Sequence, residues 1–140
     1  MLRAFGEGEA FARAVVRQLK RHALQVLTER TEVHARALGR PMPKVAVADA
    51  KGRWGSCRPA RQASRSVKGD TGSIRYSWRL VLAPFEVADY VAAHESAHLL
   101  EANHGPNFWA HVRRIHGSEK TPRAWLRQNG ARLHAFGRPD

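Results

Sequence analysis

Cysteine is almost missing from this chain. Only Cys57 stands among 140 residues, so no intrachain disulfide can form, and nothing points to an oxidising compartment. Methionine is nearly as scarce, with Met1 and Met42 alone. No apolar run approaches the roughly 20 residues that a membrane span needs. The opening Met-Leu-Arg-Ala-Phe-Gly-Glu-Gly-Glu puts acidic side chains where a signal peptide has its apolar stretch. The expectation is a cytoplasmic protein with no membrane partner. Acidic residues are also few, 12 against 24 basic ones, which gives a net charge of +12. That surplus favours an anionic partner such as nucleic acid, nucleotides or acidic substrates. An arginine-rich solvated surface would give the same charge, because charge reports encounter and not function.

What the chain does have is His94-Glu95-Ser-Ala-His98, followed six residues later by His104. On a helix, positions i and i+4 share a face, about 6 Å apart along the axis, so His94 and His98 can address one ion. Glu95 is rotated about 100° from His94. It borders such a site, which suits a base acting on water. A catalytic zinc takes three protein ligands and keeps a position for water, whose pKa falls to about 7. His104 is the preferred third ligand. It cannot reach from the same straight helix, so the chain must fold back, and Asn103 with Gly105-Pro106 supplies turn chemistry. Glu101 competes from the stripe of His94 and His98 but gives poor tetrahedral geometry. The two-histidine pattern would arise by chance in such a chain about 0.03 times, which argues against incidental histidines. The histidines' second N–H groups need acceptors, for which Asp89, Glu101 or backbone carbonyls are candidates.

The length suits one domain, residues 1–140, with loosely held ends at 1–8 and 131–140. From about Glu9 to Leu38, helical spacing brings Phe11, Val15, Leu19, Leu24 and Leu27 to one face, and Gly39 and Pro41 mark the stop. This is one long helix or two abutting ones. Lys44–Asp49 alternates as a strand. Arg53-Trp-Gly-Ser-Cys57 is an aperiodic cluster. The stretch from Arg58 to Gly72 reads as a mobile basic loop. Ser73–Leu80 alternates Ile74, Tyr76, Trp78 and Leu80, and is expected to pair antiparallel with the first strand. Pro84 sits well as the first residue of the histidine-bearing helix. Pro106–Ile115 suits a short helix with Phe108, Val112 and Ile115 inward. Thr121-Pro122 starts another, which Gly130 stops. The fold class read from this order is α+β.

Several side chains have two readings. Arg53 and Arg79 could bind a substrate carboxylate or phosphate, although packing on Trp54 and Trp78 is the favoured role. Tyr76, Tyr90 and His111 are candidates for stabilising a tetrahedral intermediate. Cys57 is read as a small buried residue rather than a ligand.

The succession Arg53-Trp-Gly-Ser-Cys57, Ser77-Trp-Arg-Leu80, His94-Glu-x-x-His98, Asn103-His104 and Phe108-Trp109 resembles the YgjP-like zinc metallopeptidase family, related to the WLM and SprT-like metallopeptidases. The resemblance runs from about residue 10 to residue 130. It implies a zincin-like core, with a long N-terminal helix, a small antiparallel sheet, an active-site helix and two short C-terminal helices. It implies one zinc ion held by His94, His98 and His104, with Glu95 catalytic. This chain departs from the family in three ways. It lacks the β-rich segment that larger members carry ahead of the long helix, it has Ser77 in place of Asn, and its 58–72 loop is longer. Metzincins share the spacing of the histidines but need Gly at the place of Glu101 and a downstream methionine, which disfavours them here. The implied activity is peptide hydrolysis. The alternatives are nucleoside triphosphate pyrophosphatase activity on UTP, also implied by the family, and a nucleic-acid-associated module of SprT-like type. The partner is accordingly a peptide or nucleotide substrate, with nucleic acid admitted by the basic surface.

Overall fold

A computed structural model describes residues 2–61 and 68–138, with side chains from Gly8 onward. The chain is α+β, with four helices and a three-stranded mixed sheet. Helix α1 (Leu2–Ala37) is continuous and is followed by strands β1 (Lys44–Ala48), β2 (Gly55–Arg58) and β3 (Ser73–Ser77). A 3-10 turn (Trp78–Leu82) leads into α2 (Phe85–Ala97), α3 (Pro106–Ile115) and α4 (Lys120–Ala135).

The buried stripe of α1 matches the expected one in part: Leu27 is in the core and Leu19 packs against it. Ala23, Leu27, Thr31, His34 and Leu38 are buried, whereas Phe11 is 71% and Leu24 39% exposed. The spacing is still helical, and the helix packs against α2, the 3-10 turn and β1, with Val16 and Leu19 joining the core from its first half. Two polar residues lie on that stripe because each has a dedicated partner. Thr31 donates its hydroxyl to the Leu27 carbonyl and accepts from Tyr76, and His34 donates to Asp89 at 2.7 Å.

The sheet corrects the expected pairing. Its order is β1-β3-β2, with β1 parallel to β3 and β2 antiparallel to it. Strand β2 runs against β3 and β1 runs with it, so the chain changes direction between β1 and β2 and again between β2 and β3. The cluster taken as aperiodic is the strand that pairs antiparallel. Gly-Ser-Cys-Arg is too short, and too poor in β-branched residues, to alternate visibly. Strand β3 buries Ile74 and Tyr76, then ends at Ser77, whose Oγ accepts from the Arg79 amide at 3.3 Å. Trp78 and Leu80 keep their places in the core from the 3-10 turn. Pro84 is the residue before α2 rather than its first. Pro106 does open α3.

The C-terminal region also differs from expectation. Gly130 lies inside α4, where a Cβ would come 3.3 Å from the Trp54 ring. It permits close helix packing and does not stop the helix. Residues 131–138 are not a loose tail. The Phe136 carbonyl accepts from Arg79 Nε and Nη2 at 3.0 and 2.8 Å, and Arg138 bonds the Ala50 carbonyl at 3.1 Å and Asp49 at 2.6 Å. Arg79 is 1% exposed, pairs with Asp49 and lies over Trp78. It ties strand to helix and has no free face for a substrate. The expected basic loop lies partly outside the described residues (62–67). At its flanks, Asp70 accepts from Arg58 and from the Arg61 and Gly72 amides. No described helix is long and apolar enough to cross a membrane.

Candidate metal centre

Helix α2 carries His94 and Glu95, and His98 caps its end. The chain leaves the helix by tightening. Leu99 and Leu100 donate to the carbonyls of Ser96 and Ala97, three residues back, at 2.9 and 3.0 Å. The left-handed turn expected at Asn103 and Gly105 is absent: Gly105 has φ −87°, and no described non-glycine residue has positive φ. The 3-10 bonding consumes the orphan carbonyls without one. The returning segment brings His104 over the end of α2, just before Pro106 opens α3.

The three imidazoles converge. His104 Nε2 lies 3.1 Å from His98 Nε2 and 3.3 Å from His94 Nε2. All three ligand atoms lie within 4.8 Å of one another. Tetrahedral zinc with Zn–N near 2.05 Å needs nitrogens about 3.3 Å apart, so the donor set fits the ion. The tautomers agree. His98 Nδ1 must donate to the Glu101 carbonyl, 2.9 Å away, because a carbonyl only accepts. The lone pair of His98 is therefore left on Nε2, facing the centre. His94 Nδ1 meets the Tyr90 hydroxyl at 3.3 Å. Beneath the cluster, the buried Phe108 ring touches all three imidazoles, with centroids 4.9, 4.5 and 4.9 Å from His94, His98 and His104. Burial, helped by the neighbouring imidazoles, lowers the pKa of His94 to about 4, and burial lowers that of His98 as well. Both rings are thus neutral and ready to ligate near pH 7.

Glu95 is 7% exposed. Burial pushes its carboxyl up to about 7, against the pull of Arg53. Gly55 makes the space. A Cβ there would sit 2.8 Å from Glu95 Cγ and 3.0 Å from Oε2. The start of β2 therefore serves as the wall behind this carboxylate. A cavity of about 360 Å³ runs between α2 and α4, with Tyr90, His94 and Glu95 on one side, Arg123 and Arg127 on the other, and Trp54 and Gly55 lining it too. A second, of about 350 Å³, is lined by His94, His104, Trp109 and Arg123.

Several candidates lie elsewhere. Asp89 does not serve the histidines of the centre. Its Oδ1 accepts from Arg30 Nε and His34 Nε2, both at 2.7 Å, and its Oδ2 faces His116 at 3.8 Å. Glu101 contributes its carbonyl, while its carboxylate lies 4.0 Å from His111. Tyr76 is fully buried and gives its hydroxyl to Thr31. Cys57 packs against the core, and burial raises its thiol to about 12. The sequence reading missed Gly55, Arg123 and Arg127. Gly55 had a signal in the aperiodic Trp-Gly-Ser cluster. The two arginines had none, because their partner elements are distant in sequence.

Three imidazoles and one buried carboxylate around an open cavity define a candidate metal-dependent enzyme. The comparison with protein families supplies the identity: residues 4–129 match the model of the YgjP-like metallopeptidase domain. The chain belongs to the YgjP-like family. No curated protein and no solved structure matched it.

Proposed function

We propose that the chain is a zinc metallopeptidase, in which His94, His98 and His104 hold one zinc ion and Glu95 is the general base. The observation that carries this reading is the approach of three Nε2 atoms at 3.1 and 3.3 Å beside a buried carboxyl group. When bound, zinc supplies Lewis acidity toward the scissile carbonyl and the attacking water. Glu95 accepts the proton of that water and returns it to the leaving amine. Its raised pKa, about 7, suits both transfers near neutral pH. The hydroxyl of Tyr90 orients the His94 ring, and burial keeps it protonated by raising it to about 12. Trp54 and the aliphatic wall of the cavity take substrate side chains and exclude water.

A second reading, hydrolysis of UTP to UMP and pyrophosphate, is favoured by the arginines around the cavities. A third, a nucleic-acid-associated module, rests on the charge of +12. Incubation with unfolded casein and with UTP, each with and without chelator, separates the first two. Chelator-sensitive casein cleavage is expected. Chelator-sensitive release of UMP with casein left intact would reject the peptidase reading. Glu95→Gln should keep stoichiometric zinc and lose about 10²- to 10⁴-fold in turnover, whereas His94→Ala should lose the metal. DNA binding that persists in both variants and weakens with salt would assign the basic surface a separate role.

A further inference from the structure

Two arginines of α4 have no role in the peptidase chemistry proposed above. Arg123 and Arg127 are one turn apart and share a helix face. Both line the 360 Å³ cavity opposite His94 and Glu95. Arg123 also lines the second cavity beside His94 and His104, so it reaches both approaches to the histidine cluster. Its guanidinium lies over the Trp109 ring, 5.2 Å from the centroid, which fixes its direction. Glu119, just before the helix, feels the charge of Arg123, but its carboxylate makes no hydrogen bond to that guanidinium. Glu119 is held by Arg113 through two hydrogen bonds of 3.1 and 2.7 Å. Among the described residues, neither Arg123 nor Arg127 has a side-chain acceptor. Arginine presents a fork of donors matched to a planar carboxylate or a phosphate.

We propose that Arg123 and Arg127 form an anion-binding subsite, selecting substrates that carry a carboxylate or phosphate close to the bond being cleaved. The inference rests on the metal-hydrolase reading of the same cavity. A substrate lying between α2 and α4 meets the histidines and Glu95 on one wall and the two cations on the other. In a peptide, the anion is the free terminal carboxylate of the residue after the scissile bond, and its side chain occupies the space beside Leu126 and Trp54. In a nucleotide, it is a phosphate next to the one attacked.

The test measures binding to the zinc-loaded Glu95→Gln protein, by calorimetry and by the fluorescence of the nearby tryptophans. The probes are N-acetyl-leucine, N-acetyl-leucinamide and inorganic phosphate. An anion can also ligate the metal directly, so dependence on arginine is the readout, compared among Arg123→Gln, Arg127→Gln and Arg123→Lys at verified zinc content and melting temperature. Acetyl-leucine should bind at least 10-fold more tightly than its amide, and each glutamine substitution should remove most of that preference. Arg123→Lys should recover only part of it, because lysine lacks the fork. Phosphate binding lost in the same variants, without carboxylate preference, would support the subsite and name phosphate as its ligand. Anion affinities unchanged in both Arg123→Gln and Arg127→Gln, or no anion binding by the zinc-loaded Glu95→Gln protein, would overturn it. Failure of the hydrolase reading shows separately, as turnover retained by Glu95→Gln or as absence of zinc.

Discussion

Gly55 shows how much a single missing methyl group can decide. Its side is filled by Glu95, with Cγ where a Cβ would come within 2.8 Å. Gly55→Ala should therefore push the carboxylate aside while leaving the histidines untouched. We expect zinc content to stay stoichiometric and casein turnover to fall about 10- to 100-fold, since small displacements of catalytic groups cost that much. Equal loss of zinc and turnover would place the fault in the metal cluster instead. Glu95 itself carries a cost that can be measured without metal. Its folded pKa, about 7, lies above the unfolded value of 4.5. The folded state thus binds more protons, and stability is lost as pH rises from about 4.5 through 7. In zinc-free protein, Glu95→Gln should gain on the order of 3 kcal/mol over the parent at pH 8 and almost nothing at pH 4, as read from urea titrations.

Among elements, Asp89 is a junction of three pieces. From α2 it reaches Arg30 and His34 on α1, and His116 just beyond α3. Burial pushes its carboxyl up, but the hydrogen bonds from His34 and Arg30 outweigh this and hold it below the usual range. Its contribution is present above the ordinary carboxylate pKa and disappears as pH falls through the lower folded value. Asp89→Asn should destabilise the protein at pH 7, with the gap to the parent closing as pH falls below the ordinary carboxylate range in chemical unfolding curves. The helices were the legible elements, because α3 and the body of α1 carry 3.6-residue spacing, while α2, buried on nearly every side, is marked by Pro84 before it and by the i, i+4 histidines. The sheet was not. Its topology turns on β2, four residues without a periodic signal, and Gly130 looks like a stop when its neighbour Trp54 is unknown. The histidines were legible because their spacing is local. Arg123, Arg127 and Gly55 were not, because their meaning depends on elements tens of residues away.

For the molecule as a whole, the three-imidazole cluster links α2 to the segment entering α3. A ligand bound only by the folded state stabilises it by mass action, about 4 kcal/mol at a thousandfold excess over the dissociation constant. Removal of metal by chelation should lower the melting temperature on the order of 10 °C. His104→Ala should abolish most of that difference, because the parent and the variant then share the metal-free state. A scan insensitive to chelator would argue against a resident ion.

The floor formed by Phe108 has a further consequence. The imidazoles and this ring all belong to the short stretch from residue 94 to residue 108, whereas the environment of Glu95 depends on Gly55, forty positions upstream. On the proposed function, capture of an ion and competence to cut would be separate stages of maturation, since local contacts close before distant ones. During refolding of the full chain, zinc uptake should precede the recovery of cleavage. A nascent polypeptide would then carry its metal while still harmless to its neighbours.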